Sequence, residues 1–338
     1  MTGSRQPTLA HVALAAGVST STASACLRDR PGPSQATKDH VRQVARDMGY
    51  RVRVGASSLR TGMRPTAALI LDPITMDRMA YVESYYAIFL NALVRDASAE
   101  NLPVTIVSSA DAEVLNGTQV DAVLFMNQES IVDHLSTVGF GLPLLAISMG
   151  NNDIDLDDPR LTTVLRHDHA GICRAALDHL QSEGTQHPAL IYGRERSRLH
   201  VNEDCFRDWA RGVGVESRVF DVDTSRARAD VVDELIGILA SDIDAIYTVL
   251  LDPSLIAEAS QRVNRVIPDD VLLVSQTEQP YVPLWDVELS TVSFHPEDSA
   301  RIAVRAIKSA IAGQSPRIVD MRESFYPGTS STRPIKRP

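Results

Sequence analysis

The chain has 338 residues, 44 % of them hydrophobic and 22 % charged, with a formal net charge of −10. That length is too great for one ordinary core and implies two or three domains, and the composition is that of a soluble globular protein. No apolar run reaches the roughly eighteen residues of a membrane span, and Met1–Pro7 has no signal-peptide character, so export and membrane insertion are unsupported and a cytoplasmic protein is expected. Cys26, Cys173 and Cys205 are odd in number and far apart, with no C-x-x-C, which argues against zinc and against a disulfide framework.

The first sixty-odd residues organise the rest. Leu9, Val12, Ala13 and Ala16 form the i, i+3, i+4, i+7 stripe of a short helix, Gly17-Val18-Ser19 breaks it, and a second helix is predicted from about Thr20 to Leu27. Two helices joined so closely pack almost backbone to backbone, which needs small Ala13 and a turn glycine at Gly17. After Arg28–Pro33 a third stripe, Val41, Val44, Ala45 and Met48, is ended by Gly49. Residues 1–64 hold ten Lys/Arg and three Asp, so the head carries +7 and the rest of the chain −17. A basic head on an acidic body is the electrostatic footprint of phosphate neutralisation. A three-helix bundle without a ligand would share the spacing but not the charge.

The runs Thr8-Leu9-Ala10-His11-Val12-Ala13, Ala16-Gly17-Val18-Ser19, Thr22-Ala23-Ser24, Met48-Gly49-Tyr50-Arg51 and Ser58-Leu59-Arg60-Thr61-Gly62 together resemble the LacI/GalR family of bacterial transcriptional regulators. The resemblance implies a DNA contact set of Thr8, Val18, Ser19, Thr20, Ser21, Thr22, Ser24 and Ala25 in the head, and Arg51, Arg53, Ala56, Leu59 and Arg60 in a hinge. Hydroxyls at the start of a recognition helix donate to or accept from any base, so they specify weakly. The family usually has arginine where Ala25 stands; alanine offers only a methyl, so a different half-site is expected. His11 replaces an acidic residue that would cap Thr8, and a less firm start to the first helix is expected. In the hinge, Leu59 matches a leucine that wedges into the minor groove. Gly55 weakens such a helix, and Val52-Arg53 departs from the family's Pro-Asn, so the hinge is expected to fold only on DNA.

From Thr66 strands and helices alternate, the pattern of doubly wound α/β sheets. Apolar strand runs stand at 67–71, 104–107, 121–125, 143–147 and 163–165, with helices at 86–99, 131–138 and 170–184; too few residues separate Ser108 from Val120 for the family's usual extra helix. A second unit runs through strands at 188–193, 218–222, 245–248 and 271–274, with helices near 205–212, 229–240 and 254–263. Leu289–Val292 resembles a return crossing to the helix 296–312, and 318–324 a closing strand. The expected fold is therefore an N-terminal α-helical helix-turn-helix head plus an α/β two-lobed core like that of periplasmic binding proteins. Its divisions are 1–50 head, 51–65 hinge, 66–185 and 294–317 first lobe, 186–293 and 318–332 second lobe, and 333–338 tail.

Ligands of such folds sit in the cleft at the carboxyl ends of strands. The resemblance places effector contacts at Tyr85, Tyr86, Asp168, Arg198, Asn202, Leu251, Thr277 and Phe294. Sugar-binding members hold hydroxyls with aspartates, an arginine and an Asn-Asp pair; here only Asp168 matches, while Asn202, Leu251 and Thr277 replace charged or amide groups. A less sugar-like cleft is expected, for an amphipathic or aromatic small molecule, or no effector at all. Asp168 reads equally as an N-cap, and Tyr85, Tyr86 and Phe294 as core packing. His167-Asp168-His169 cannot all ligate one ion, because adjacent strand residues point to opposite faces. No catalytic or nucleotide motif stands out, so neither enzyme activity nor a cofactor is expected. The function expected is a repressor that binds a palindromic double-stranded DNA operator as a homodimer, under an unidentified small-molecule effector and with no membrane partner; the alternative is a small-molecule sensor with a degenerate head.

Overall fold

The structure, a computed structural model, describes residues 8–27, 31–48, 50, 64–71, 85–116, 120–126, 142–148, 158, 160–193, 201–278 and 287–333. Gly49, the predicted helix 131–138, Arg198 and the hinge residues Arg51, Arg53, Ala56, Leu59 and Arg60 lie outside the described residues.

The head has three helices, α1 (Leu9–Ala15), α2 (Thr20–Leu27) and α3 (Gln35–Asp47). Gly17 takes φ +66° between α1 and α2, and the two helices meet at 101°. The core between them is built from small side chains: Val12, Ala13, Ala16, Ala23, Cys26, Leu27, Val41 and Ala45 are all buried.

The rest of the chain builds two six-stranded sheets. In the first, β1 (Ala67–Leu71) is flanked by β2 (Val104–Ser108) and β3 (Ala122–Met126), then come β4 (Leu144–Ser148), β5 (Thr163–Arg166) and, at the edge, β11 (Ile318–Asp320), all parallel. Helix α4 (Tyr85–Ala99) links β1 to β2 and packs beside α9 (Pro296–Ile311) on one face. Between β2 and β3 a 3₁₀ stretch, Ser109–Asn116, takes the place of a longer helix. The second sheet runs β7 (Arg218–Val222), β6 (Pro188–Gly193), β8 (Ala245–Val249), β9 (Leu272–Gln276), β10 (Ser290–Ser293) and β12 (Ser324–Tyr326), parallel except for the β10–β12 pair. Helices α7 (Arg228–Leu239) and α8 (Pro253–Arg262) cover one face of it. Helices α5 (His169–Ser182) and α6 (Val201–Val213) cover the other. Strands buried on both faces need continuous apolar runs, which is what β1, β4 and β8 show.

Three expectations change. Helix α5, assigned with the first lobe by the boundary at 185, belongs to the second: Cys173, Ala176, Leu177 and Leu180 pack with Phe206, Trp209 and Tyr247. The chain leaves the first sheet at Arg166, so the crossing precedes the helix rather than following it. The segment 318–332, assigned wholly to the second lobe, is divided: Ile318–Asp320 pairs with β5 of the first sheet, and only Ser324–Tyr326 joins the second. Val164 donates to the Arg317 carbonyl (2.8 Å) and Thr163 Oγ1 to that of Pro316 (2.9 Å), which draws this end of the segment onto β5. Leu289–Val292, read as a crossing, is largely the strand β10, and the chain returns two residues later through Phe294-His295. Among the described residues no single helix is long and apolar enough to cross a membrane.

Trp209 shows how α5 and α6 are joined: it is 1 % exposed, and its indole N–H donates to Asp178 Oδ1 at 3.0 Å. Trp209→Ala is expected to lose about 3–5 kcal/mol through the cavity and the unpaired carboxylate. Urea unfolding followed by far-UV circular dichroism measures it.

Candidate DNA interface and interlobe site

The head's second helix is held so that its hydroxyls face outward. Ser19 caps α2: its Oγ accepts from the Thr22 amide (3.0 Å) and lies 2.8 Å from both Ser21 Oγ and Thr22 Oγ1. Ala23, Cys26 and Leu27 turn inward, leaving Ser19, Thr20 and Ser21 exposed and Val18, Thr22, Ser24 and Ala25 half-buried. The predicted head contacts thus share one face, with Thr8 exposed at the start of α1. His11 corrects an expectation. The Thr8 amide donates to His11 Nδ1 (3.2 Å) and the His11 amide to Thr8 Oγ1 (3.4 Å), a reciprocal capping box in which imidazole replaces the usual carboxylate.

Between the lobes the chain crosses three times, at His167-Asp168, at Phe294-His295 and at Met321–Glu323. These crossings are bonded to each other. Glu323 Oε1 lies 2.6 Å from His167 Nδ1 and accepts the Asp168 amide at 3.1 Å. On its other side, His167 Nε2 lies 3.1 Å from the Tyr85 hydroxyl. His295 Nε2 lies 2.8 Å from Ser324 Oγ. Phe294 sits between two imidazoles, stacked on His169 (4.5 Å) and edge-on to His167 (5.3 Å). Glu278 accepts from Ser293 Oγ (2.6 Å) and from the Phe294 amide (2.8 Å).

Burial dominates the acid–base character here. It pushes the Glu278 carboxyl above its ordinary range, against the opposing effect of its Ser293 and backbone hydrogen bonds. It pulls His169 down to about 3, helped by nearby His167, and lowers His295. Burial also raises the Tyr85 phenol. His169 is therefore held neutral.

The predicted effector residues do not form one surface. Asp168 is the N-cap of α5, its Oδ1 accepting from the Gly171 amide at 3.0 Å. Phe294 is 1 % exposed and Tyr85 packs on Phe89, so both rings serve the crossing rather than an open cleft. Leu251 is 5 % exposed in the core beneath α7 and α8. Asn202 is buried in the first turn of α6 beside His169. Tyr86 and Thr277 remain partly exposed. An open cavity of 510 Å³ adjoins the crossing instead, lined by Ile88, Glu278, Ser293, His295, Pro296, Glu297 and Asp298. Sequence reasoning weighed His167 only as a metal ligand and gave no role to Glu278, His295 or Glu323; nothing in the residues shows that the Glu323 carboxylate meets a histidine 156 residues away.

Comparison with known proteins decides the rest. Residues 8–52 match the model of bacterial regulatory proteins of the lacI family, and residues 177–331 a periplasmic binding protein-like domain. The chain belongs to the LacI family. It is a transcriptional regulator with a DNA-binding head and an effector-binding domain. Among solved structures it is similar to the transcriptional regulator CelR in complex with cellobiose (20 % identity, TM-score 0.62, covering 96 % of this chain and 99 % of that one). It is similar also to the lac repressor dimer bound to operator and the anti-inducer ONPF (15 %, 0.66, 97 % and 100 %). A LacI family regulator from Arthrobacter sp. FB24 in complex with lactose matches over 79 % of this chain and 100 % of its own, at 16 % identity and TM-score 0.64. At these identities the likeness is one of fold. No curated protein matches the chain significantly.

Two outcomes follow from this LacI-family architecture. His11→Ala removes the acceptor for the Thr8 amide and is expected to speed hydrogen exchange across Leu9–Ala15 about fivefold, the equivalent of about 1 kcal/mol; His11→Glu keeps the parent rate. For His169, the unfolded chain takes up a proton near 6.5 and the folded chain only near 3. Stability is thus expected to fall as pH drops through that window, by about 2 kcal/mol from this group at pH 5. Urea midpoints between pH 7 and 5 should show this loss in the parent and a flatter profile in His169→Gln.

Proposed function

We propose that this regulator is a repressor that grips a palindromic double-stranded operator as a homodimer, and that a small molecule taken up between its lobes changes that grip. The observation that carries the reading is the head: a basic module whose α2, at 101° to α1, turns Ser19, Thr20 and Ser21 outward. In helix-turn-helix geometry those first residues meet base edges in the major groove, while a two-fold pair spans half-sites about one helical turn apart. Ser and Thr accept several bases, and Ala25 adds a methyl contact in place of an arginine, so the operator departs from the common family half-site. Leu59 is the wedge that bends the duplex between the two hinges.

For the effector, two of the solved regulators hold cellobiose and lactose. In this chain Asn202 and Thr277 replace charged partners, and Leu251, turned into the core, leaves nothing at its position to bind a hydroxyl. An amphipathic or aromatic ligand with few hydroxyls suits that lining better than a disaccharide. Its effect reaches the DNA only as far as it prefers one arrangement of the lobes.

Selection of bound duplex from a random pool, with full-length protein at modest ionic strength, is expected to return a palindrome. Leu59→Ala should then bind it at least about tenfold more weakly, about 1.4 kcal/mol, with binding in both proteins falling steeply as salt rises. No enriched sequence would remove the operator reading. A large melting shift with common disaccharides, and none with aromatic or amphipathic ligands, would remove the effector reading.

A further inference from the structure

Neither the head nor the interlobe crossings use Cys173 and Cys205. Cys173 lies on the buried face of α5 and Cys205 on the facing side of α6, at 0 % and 7 % exposure. The Cys205 thiol donates to the carbonyl of Ala170, Sγ to O 3.4 Å. Ala170 is one turn ahead of Cys173, and helical side chains lean toward the N-terminus over the preceding turn. The Cys173 side chain therefore leans toward the turn that Cys205 Sγ is bonded to, and the two cysteines share one buried cluster. Cys26, buried in the apolar core of the head, has no such neighbour among the residues it packs with.

We propose that Cys173 and Cys205 are a modification site: in the presence of a peroxide they form a reversible disulfide that ties α5 to α6 within the second lobe. The two sulfurs are not equivalent. The hydrogen bond from Cys173 pulls Cys205 below the ordinary thiol range, with Arg174 adding to the effect and burial opposing it, while Cys173 is pushed up. Cys205 is thus the attacking thiolate. It attacks one oxygen of hydrogen peroxide; the O–O bond breaks, the departing hydroxide takes up the proton lost from Cys205 and leaves as water, and Cys205 becomes a sulfenic acid. The Cys173 sulfur then attacks the Cys205 sulfur, the S–S bond forms, and the Cys173 proton leaves with the displaced hydroxide as a second water. In sum two thiols and one peroxide give one disulfide and two waters, and a dithiol reverses the oxidation by exchange.

The bond would be felt at the crossing. The disulfide would join α5 and α6 covalently within a turn or so of the residues that meet the crossing. Helix α5 starts at His169, stacked on Phe294, and the first turn of α6 holds Asn202 beside that same histidine.

The test treats the full-length protein with hydrogen peroxide under native conditions, blocks the remaining thiols and maps the digest by mass spectrometry without reduction. The expected result is the joint loss of two of the three thiols, with a Cys173–Cys205 linked peptide pair that dithiothreitol dissolves. Cys26→Ser should behave identically, and Cys173→Ser should stop at a dimedone-reactive sulfenic acid on Cys205. The proposal is overturned if the parent keeps all three thiols at a peroxide dose that oxidises a free small thiol. It is overturned equally if Cys205 advances to sulfinic acid without a linked peptide, or if the linkage joins two chains. Because the parent protein gives the deciding map, a variant that folds poorly does not blur the outcome.

Discussion

Two doubly wound sheets, each buried on both faces, can influence each other only through the peptides that pass between them and the side chains that bind those peptides together. In this protein one carboxylate binds the first crossing to the third. Glu323, on the third crossing, takes the His167 imidazole and the Asp168 amide of the first. His295, on the second, is bonded to Ser324 beside it. The buried His167 imidazole would lose about 1–3 kcal/mol without its acceptor, which favours movement of the first and third crossings together. The relative rotation of the lobes is therefore confined to a few residues, among them His295, which already sits at φ +47°. Such short segments at the ends of rigid elements are where hinge motions concentrate.

The head works under a different constraint. Its core is mostly alanine and other small side chains, so it buries little apolar area, and small modules are marginal for that reason. Local devices then carry an unusual share of its order. The His11–Thr8 box fixes the start of α1, Ser19 fixes the start of α2, and Gly17 sets the turn between them. The same small residues let α1 and α2 approach closely while the hydroxyls of Ser19, Thr20 and Ser21 stay exposed. Economy of core and exposure of the reading face are one feature seen from two sides.

Much of this was legible in the residues, and what was not has definite causes. Strand β6 begins and ends where its apolar run does, because a strand covered on both faces is written as a continuous run. The stripe of α5 says that one face is buried, not against which sheet; only the position of the crossing at Arg166 decides that. One apolar-polar run at 318–326 hid two short strands of different sheets, since Met321–Glu323 between them has no turn signal. Leu251 was misplaced because Leu250 takes φ +55° and turns the chain, so that Leu251 faces the α7 and α8 core. His11 failed as a prediction because side-chain class was weighed, when an unprotonated Nδ1 serves as well as a carboxylate oxygen for accepting one amide.

The residue next to the first crossing draws these strands together. Asp168 gives its amide to Glu323 and its carboxylate to the Gly171 amide, so a single residue anchors the crossing and starts α5. A side chain at Gly171 would run into the Asp168 carboxylate, which is why the third position of that helix has none. Any displacement of α5 along its axis must therefore either break the cap or pull on Glu323. Since Glu323 also holds His167, and His167 holds Tyr85 at the head of α4, the same pull reaches the first lobe through hydrogen bonds of 2.6–3.1 Å. Coupling between the lobes thus needs no extended pathway through either core. It needs one carboxylate that holds the first crossing to the third, with Tyr85 of α4 reached through His167 and the start of α5 through Asp168.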